Sequence, residues 1–298
     1  MGEGIKNINW YPGHMKKTRE LIQENLKMVD LVIEVIDSRI PRSSRNPIID
    51  ELIQNKKRII ILNKSDLSDD KANNAWADYF RSQGNLVMKM NANRGDGVKE
   101  LFRMLEKLQD EKNRDKALKK PMRMMIVGVP NVGKSSLINR MTRRKSAKTG
   151  DKPSVTKGKQ WFSVDNGMRL LDTPGILWPK FEDPEVGLNL AFCGSIKDEI
   201  MDLSELALEL IKVLSREYPE LLVSRYKLDE LLKDGDYSDT FEREIEGEQE
   251  TALANMEAIA KKRGFILPGK RIDYERTAKT LLDEFRSAAI GKITLEKV

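Results

Sequence analysis

The sequence predicts an α/β fold, in which a mostly parallel sheet is flanked by helices, followed by a C-terminal all-α domain. Three observations support this prediction. Between residues 16 and 141, short apolar runs alternate with segments of helical periodicity, the pattern of parallel strands joined by crossover helices. A glycine-rich turn at residues 128–133 separates one apolar run from the next helical segment. From about residue 184 the strand patterns stop and helical patterns dominate.

The predicted elements alternate along the first part of the chain. Helical patterns cover residues 16–29, a segment from 47, 70–82, 98–111 and 134–141, and strand patterns cover 31–36, 59–62, 86–90 and 124–127. A strand pair at 160–164 and 168–172 is joined by Asn166-Gly167, a step typical of hairpin turns. The later helical patterns are 203–214, 228–232, 251–262 and 274–285. We therefore place one domain at residues 1–180 and a helical domain at 181–298.

The composition is that of a globular protein with a heavily charged surface. Hydrophobic residues make up 39% and charged residues 34% of the 298 residues. Cys193 is the only cysteine and His14 the only histidine, so an internal disulfide and a zinc-type ligand set are excluded. The first residues lack a signal-peptide core, and the apolar run at 31–36 is too short to span a bilayer. We expect a cytoplasmic protein without a membrane partner.

Charge is segregated along the sequence, although the net charge is only +6. Residues 140–159 contain eight lysines and arginines and a single acidic residue, Asp151. Residues 198–250 contain 17 acidic and six basic residues. A basic cluster of this kind either is a solvated loop or contacts a polyanion. Both interpretations stay open at this point.

Residues 128–135 (GVPNVGKS) match the phosphate-binding pattern G-x-x-x-x-G-K-[ST]. The match lies between a predicted strand and a predicted helix, as the motif requires, which disfavours a chance glycine turn. Backbone amides and the helix N-terminus would cradle phosphates, Lys134 would reach the outer phosphates, and Ser135 would offer its hydroxyl to Mg²⁺. The candidate phosphate-binding residues are Asn131, Val132, Gly133, Lys134, Ser135 and Ser136.

Residues 63–66 (NKSD) follow a predicted strand and indicate which base is bound. The Asp66 carboxylate can accept two hydrogen bonds from the ring N–H and amine of guanine, whereas adenine lacks this pair of donors. Asn63 would hold the base and tie the two loops together, and the Lys64 stem would lie along the ring. A backbone amide in residues 91–93 should meet the guanine carbonyl. The candidate base-binding residues are Asn63, Lys64, Ser65, Asp66, Asn91 and Ala92.

Residues 172–175 (DTPG) end the second strand after the phosphate loop. Asp172 would hold Mg²⁺ through water, and the amide of Gly175 would sense the γ-phosphate of GTP. Thr156 lies between these two motifs, where a loop should contribute a second hydroxyl to Mg²⁺, and Ser154 is its rival. The motifs together predict a nucleotide site that binds GTP and Mg²⁺.

The order of these motifs is rotated relative to ordinary small GTPases, in which the phosphate loop comes first. Here residues 63–66 and 91–93 precede 128–135. Together with residues 9–15 (NWYPGHM), residues 37–41 (DSRIP) and the helical tail, this circularly permuted order resembles the RbgA (YlqF) family of bacterial ribosome-assembly GTPases. The resemblance covers essentially the whole chain.

The resemblance implies a GTP hydrolase that binds a late precursor of the large ribosomal subunit and leaves after hydrolysis. Its implied partners are ribosomal RNA and ribosomal proteins. The resemblance also implies that residues 1–180 form a circularly permuted P-loop GTPase domain and that residues 181–298 form the RNA- or ribosome-binding domain. We expect a monomer. The alternative is a GTPase acting on another RNA or translation complex. A P-loop kinase is a second alternative, but it would tolerate ATP, whereas residues 63–66 indicate selection against adenine. A signalling GTPase is a third, but it would carry a lipid or membrane signal, and we find none in the sequence.

Several catalytic assignments stay open. Ile176 occupies the position where Ras-type enzymes use a glutamine to orient the attacking water, so another group must do this. His14 is the candidate that the family suggests, and a helix-capping role is its alternative. The candidate catalytic residues are thus His14, Lys134 and Thr156. Asn131 either binds K⁺, as in some GTPases with asparagine at this position, or only shapes the loop.

Two further features have alternative roles. Asp37 is expected to form a buried ion pair with Arg39 rather than to act in catalysis. Seven basic residues of the tail either form an RNA-binding face or are simply solvated. They are Lys261, Lys262, Arg263, Lys270, Arg271, Arg276 and Lys279. Finally, Gly175 lies near the predicted domain boundary, so we expect GTP to control the orientation of the two domains.

Overall fold

A six-stranded sheet forms the centre of the α/β part in the computed structural model, which describes residues 20, 22–53, 56–142, 160–173, 175, 177, 183–231 and 241–298. Its strands are β1 (Leu31–Asp37), β2 (Lys57–Asn63), β3 (Leu86–Met90), β4 (Arg123–Val127), β5 (Gln160–Ser163) and β6 (Arg169–Asp172). The order across the sheet is β3-β2-β1-β4-β6-β5. All neighbouring strands are parallel except β5 and β6. The prediction of a mostly parallel sheet is confirmed.

The central strand β1 is buried along its whole length, which explains its continuous apolar sequence. Its one charged interior residue, Glu34, is paired with two arginines: Glu34 Oε1 lies 3.3 Å from Arg45 Nε, and Oε2 lies 3.2 Å from Arg58 Nη1. Burial raises the pKa of Glu34, and the two guanidinium groups oppose that shift. The arginines thus compensate a carboxylate that would otherwise be costly to bury.

The edge hairpin β5–β6 turns at the predicted Asn-Gly step. Asn166 and Gly167 both adopt positive φ, of 60° and 72°. Asparagine and glycine tolerate this left-handed backbone better than other residues, which is why the dipeptide favours a tight turn. The hairpin places β6, and hence Asp172 at its end, directly beside β4.

Besides the helical residues 20 and 22–26, the described residues of the α/β part form helices α1 (Pro47–Ile53), α2 (Asp70–Ser82), α3 (Val98–Asn113) and α4 (Lys134–Met141). The ranges predicted for α2 and α4 agree with the structure, and α3 extends two residues further than predicted. Helix α2 begins where Asp69 accepts a hydrogen bond from the backbone N–H of Ala72. Of the helix predicted at 16–29, residues 20 and 22–26 are helical, and residues 16–19 and 21 lie outside the described chain.

The helical region consists of α5 (Pro184–Phe192), α6 (Leu203–Glu217), α7 (Pro219–Tyr226), α8 (Phe241–Arg263) and α9 (Tyr274–Arg286). The helix predicted at 228–232 is wrong for its described residues 228–231, because α7 already ends at Tyr226. Lys227 adopts a left-handed conformation there, with φ of 54°. The sequence analysis also missed a short hairpin of β7 (Ile266–Leu267) and β8 (Arg271–Ile272). Its two-residue strands are too short to show an alternating pattern.

The largest apolar cluster runs from the sheet into the helical region. It joins Ile33 of β1 and Met124 of β4 to Phe192 of α5, Leu210 of α6 and Phe285 of α9. The α/β part and the helical region therefore share one core, and the division into two domains at residues 180–181 stays a prediction. Within the described part of the chain, no helix has the length and apolar character needed to cross a bilayer.

Candidate functional site

The phosphate loop connects β4 to α4, and three of its residues have positive φ, the first being Gly128 with φ of 148°. Asn131 has φ of 60° and Gly133 has φ of 100°. A side chain at position 133 would be strained, and its Cβ would lie only 2.2 Å from the Asn63 amide nitrogen. The glycine at this position is thus required both by the loop's turn and by the close approach of a neighbouring loop.

Lys134 lies at the start of α4 and is only 8% exposed. Its Nζ donates hydrogen bonds to the carbonyl oxygens of Gly128, at 2.9 Å, and Val129, at 2.7 Å. Burial lowers the pKa of Lys134 to about 8, and Asp172 acts in the opposite direction. A desolvated ammonium within a loop of this shape is suited to an anionic ligand, which would favour its charged form.

Gly175 approaches the phosphate loop closely. A Cβ on this residue would lie 2.9 Å from Lys134 Nζ and 3.0 Å from Pro130 Cα. The segment expected to sense the γ-phosphate therefore lies against the lysine expected to bind it. The contact leaves no room for a side chain at position 175.

Asn63 joins three loops that follow parallel strands. Its Nδ2 donates to the carbonyl oxygen of Val132 in the phosphate loop, at 2.6 Å, and its Oδ1 accepts from the backbone N–H of Ala92, at 2.9 Å. The predicted link between base loop and phosphate loop is present. The Ala92 amide expected to meet guanine is engaged by Asn63, so a contact with the base would have to share or replace this bond.

The remaining base-loop residues have distinct local partners. The Ser65 hydroxyl donates to the Met90 carbonyl at 3.1 Å, and Asn91 Oδ1 accepts from the backbone N–H of Arg94 at 3.0 Å. Both contacts shape the loops rather than leave the side chains projecting into a pocket. Asp66 is half-buried. It is positioned at the carboxyl end of β2, where ligands of open α/β sheets bind.

Asp37 and Arg39 form the expected buried ion pair. Arg39 Nη2 lies 2.7 Å from Asp37 Oδ2, and Arg39 Nε donates to Oδ1 at 2.9 Å. Lys64 Nζ contacts the same carboxylate at 2.8 Å. Burial opposes ionisation, but Arg39 and Lys64 together hold the pKa of Asp37 well below its usual range. Arg39 also donates to the carbonyl of Arg286 in α9, at 3.2 Å.

Two of the three expected Mg²⁺ ligands are described, and they lie at one end of the sheet. Asp172 is buried at the end of β6, and Ser135 is half-buried in the first turn of α4, next to the half-buried Ser136. Hydroxyl and carboxylate oxygens are the donors that Mg²⁺ prefers, so this set fits the ion. Four residues considered for catalysis or Mg²⁺ binding lie outside the described residues: His14, Ser154, Thr156 and Ile176. The basic cluster at 143–159 also lies outside them.

The sequence analysis missed that the phosphate loop contacts the helical region. Asn131 Nδ2 donates to the carbonyl of Gly194 at 2.5 Å, and the Ser195 hydroxyl donates to the carbonyl of Pro130 at 2.9 Å. A glycine after a helical stretch signals a helix end, so Gly194 could have been recognised as a cap. No local signal shows that this cap touches residues 130 and 131.

Comparison with known proteins gives consistent matches. A family profile described as a 50S ribosome-binding GTPase matches residues 123–232. The "Ribosome biogenesis GTPase A" of Priestia megaterium (strain DSM 319 / IMG 1521) is 44% identical over 294 residues, which cover 97% of this chain and 96% of that protein. Two solved YlqF structures, a GDP-bound one and a GNP-bound one from T. maritima, have TM-scores of 0.62 and 0.60. Each is 26% identical, and they cover 93% and 94% of this chain and 98% of their own.

Proposed function

Because this chain belongs to the ribosome biogenesis GTPase A family, we propose that it binds a late precursor of the large ribosomal subunit in its GTP state and leaves after hydrolysis. It is a GTP hydrolase with a role in ribosome assembly. The large subunit is favoured because the family profile that it matches is described by binding to the 50S particle. The proposed partners are ribosomal RNA and ribosomal proteins of that particle.

One observation supports the nucleotide site above all: Asn63 bridges Val132 of the phosphate loop and Ala92 of the third loop. The phosphate loop and the proposed base loop therefore lie side by side, so that one nucleotide such as GTP can contact both. In this proposal Asp66 accepts from the guanine ring N–H and amine, and Lys134 holds the outer phosphates. The amide of Gly175, adjacent to Lys134, would contact the γ-phosphate.

Ser135, Asp172 and Thr156 would hold Mg²⁺. When bound, the ion offsets the negative charge that the β- and γ-phosphates carry during transfer to water. Asn131 is the proposed K⁺ residue, and its side-chain oxygen is the atom that would bind the cation, because an amide NH₂ group is a donor and cannot be a ligand. Equal turnover rates in KCl and NaCl would exclude this K⁺ site.

The attacking water needs a polar group, and Ile176 has none to offer. We assign this role to His14, whose imidazole can accept a proton near neutral pH. Intrinsic turnover should be slow, with the ribosomal partner completing the site. If the variant His14→Ala kept its ribosome-stimulated turnover, the histidine would have only a structural role.

The tail would provide an RNA-binding face. All seven basic residues named above are on the surface, but Lys261 pairs with Glu257 and Lys262 with Asp229. Lys270, Arg271 and Lys279 form no ion pair with any described residue, so they are the better probes. Reversing these three charges to glutamate should weaken binding to the particle and retain GTP binding. The same reversal at the exposed helix α3 residues Lys99, Arg103 and Lys107 is the matched control.

We further infer that the protein is a cytoplasmic monomer. We also infer that its sheet is a circular permutation of the small-GTPase sheet. The phosphate-loop strand β4 comes fourth in the chain yet lies in the middle of the sheet, between β1 and β6. The base-loop strands β2 and β3 precede β4 in sequence. In the sheet they lie on the far side of β1 from β4, with β3 at the edge. This arrangement is what rotated motif order requires if the three-dimensional site is preserved.

Co-sedimentation with ribosomal particles tests the proposal. Purified protein is mixed with precursor and mature large subunits and with small subunits, in the presence of a non-hydrolysable GTP analogue or of GDP. We expect sedimentation with the large-subunit precursor in the GTP-analogue state and release in GDP. Binding to small subunits alone, or binding independent of the nucleotide, would contradict it.

A further inference from the structure

Helix α5 ends in a compact capping turn that faces the phosphate loop. Gly194 follows the helix with φ of 72°, and its N–H donates to the carbonyl of Ala191 at 3.0 Å. The N–H of Ser195 reaches back to the carbonyl of Leu190 at 2.8 Å. These bonds satisfy the last carbonyls of the helix, in the manner of a glycine C-cap. The turn leaves the Gly194 carbonyl and the Ser195 hydroxyl available to other parts of the chain.

Both groups bind consecutive residues of the phosphate loop. The Gly194 carbonyl accepts from Asn131 Nδ2 at 2.5 Å, and the Ser195 hydroxyl donates to the Pro130 carbonyl at 2.9 Å. Ser195 is 2% exposed, so the second bond is shielded from water. Pro130 also lies close to Gly175. The same short piece of loop therefore contacts both the helix cap and the glycine proposed to sense the γ-phosphate.

Arg286 connects the cap to α9. Its Nε donates to the Phe192 carbonyl at 2.9 Å and its Nη2 to the Ala191 carbonyl at 3.0 Å. Asp198 pairs with the same guanidinium group, with 2.7 Å between Nη1 and Oδ2. A charged donor at the C-terminus of a helix is favourable because the helix dipole is negative there. The cap thus joins the last turn of α9 to the phosphate loop.

We propose that Gly194 and Ser195 are positioning residues of the nucleotide site, which hold Pro130 and Asn131 in place and couple the phosphate loop to α9. The inference rests on the proposed role of that loop in binding GTP. Without the Ser195 hydroxyl, the buried Pro130 carbonyl loses its donor, and the loop must move to regain one. Because coupling is reciprocal, a nucleotide that orders the loop also stabilises the cap.

The first test compares the variants Ser195→Ala and Thr277→Val. Thr277 is buried in α9, and its hydroxyl donates to the Asp273 carbonyl at 2.7 Å. Both variants lose one hydroxyl-to-carbonyl bond, but only the first bond involves the phosphate loop. We expect Ser195→Ala to weaken the binding of a fluorescent GDP analogue about fivefold to tenfold and Thr277→Val to leave it within about twofold. If the alanine variant does not fold, Ser195→Cys keeps the volume and provides only a weak donor.

The second readout uses Cys193, the only cysteine of the chain, which immediately precedes Gly194. The thiol is 4% exposed, and burial raises its pKa to about 12, so it reacts with a thiol reagent only when the cap opens. GDP should slow its labelling in the wild type and in Thr277→Val, and this protection should be lost in Ser195→Ala. If Ser195 had only a structural role, replacing it would not change the effect of GDP on the labelling of Cys193.

If Ser195→Ala bound GDP with wild-type affinity and GDP protected its Cys193 as in the wild type, the inference would be overturned while the proposed function would stand. Failure of the wild-type chain to bind GDP at all would overturn the proposed function, and the inference with it. An equal loss of affinity in Thr277→Val would also count against a specific role, because it would show that any buried bond in the helical region has the same effect.

Discussion

At the scale of single residues, the candidate nucleotide site depends on close approaches between loops that are distant in sequence. Asn63 contacts Val132, 69 residues away, and its amide nitrogen occupies the space that a side chain at position 133 would need. Lys64 reaches Asp37 rather than extending freely. Small changes at these positions should therefore affect nucleotide binding.

Gly133→Ala should weaken nucleotide binding at least about tenfold. The added Cβ would displace the Asn63 amide and break its bond to Val132, a loss of about 1.4 kcal/mol or more. Isothermal titration with GDP measures the effect. Gly84→Ala is the matched control: Gly84 has φ of 79°, and apart from Gly84 and its two chain neighbours no described residue has an atom within 4 Å of the position that its new methyl group would take. It should cost about 1 kcal/mol of folding stability and leave the affinity for GDP unchanged.

Asp66→Asn should change which base is bound. The amide replaces one acceptor with a donor, so it mismatches the amine of guanine but can pair with the carbonyl that xanthine has at that position. We expect GDP affinity to fall at least about 100-fold and xanthosine diphosphate to bind more tightly than GDP. Competition against a fluorescent nucleotide measures both. Asp70→Asn removes an acidic group that pairs with Lys292, and it should leave the preference for GDP intact.

At the scale of elements, the last eight residues fasten the helical region to the α/β part. The Glu296 carboxylate accepts hydrogen bonds from the backbone N–H groups of Arg42, at 2.6 Å, and Ser43, at 2.9 Å. The backbone carbonyl of Glu296 accepts from the indole N–H of Trp76 at 3.0 Å. The N–H of Ile293 donates to the Leu67 carbonyl, beside the base loop. This segment, residues 291–298, thus contacts both strand-end loops that precede α1 and α2.

Glu296→Ala should lower the free energy of unfolding by about 2–4 kcal/mol. The change leaves the buried N–H of Ser43 and the part-buried N–H of Arg42 without this acceptor, and an unsatisfied buried donor costs about 1–3 kcal/mol. Urea denaturation measures the effect. Glu296→Gln keeps a side-chain oxygen that can accept one of these bonds, so its loss should be smaller. Equal stability of wild type and Glu296→Ala would show that the segment is not held by this carboxylate.

The direction in which stability changes with pH, in the wild type compared with Glu296→Gln, follows from the pKa of Glu296. Burial raises the pKa of Glu296 above its ordinary value of 4.5, so the folded protein holds more protons than the unfolded chain just above that value. Its contribution to stability is therefore complete below pH 4.5 and is lost as the pH rises through the folded-state pKa. Glutamine does not titrate. The stability of the wild type relative to Glu296→Gln should fall over this range, and a rise would contradict the assignment.

At the scale of the whole molecule, the two parts share one apolar core and a set of polar contacts around the phosphate loop. Gly175 lies against Lys134 and Pro130, and Pro130 is bonded to Ser195 of the helical region. A change in the γ-phosphate would thus act on a loop segment that the helical region also holds. This arrangement offers a short route from nucleotide state to the orientation of the helices.

We expect small-angle scattering profiles to differ between the GTP-analogue-bound and GDP-bound protein. The physical reason is that contact between Gly175 and the γ-phosphate would alter how Pro130 packs, and with it the contact to α5. Lys134→Ala, which should lose the phosphates, is the control and should give the same profile with either nucleotide. Identical wild-type profiles would show that the nucleotide alone does not reorient the helical region.

The elements of the sheet were predictable because their signals are local. Continuous apolar runs indicate buried parallel strands, and α2 and α4 agree with their predicted ranges. Residues 228–231 were misassigned because the apolar spacing of the predicted segment fits a helix, although Lys227 had already ended α7 in a left-handed conformation. The hairpin at Ile266–Leu267 was missed because two-residue strands carry no periodicity.

The sequence by itself determined the motifs of the candidate site: a phosphate-loop pattern, a pattern that predicts guanine binding, and their rotated order, since each motif is a short run of residues with its own chemistry. Only the tertiary structure decided what supports that site. Asn131 and Gly194 are 63 residues apart, and Arg42 and Glu296 are 254 residues apart. Such pairs meet because the apolar core brings α5 and the C-terminal segment against the loops, and no local pattern encodes that approach.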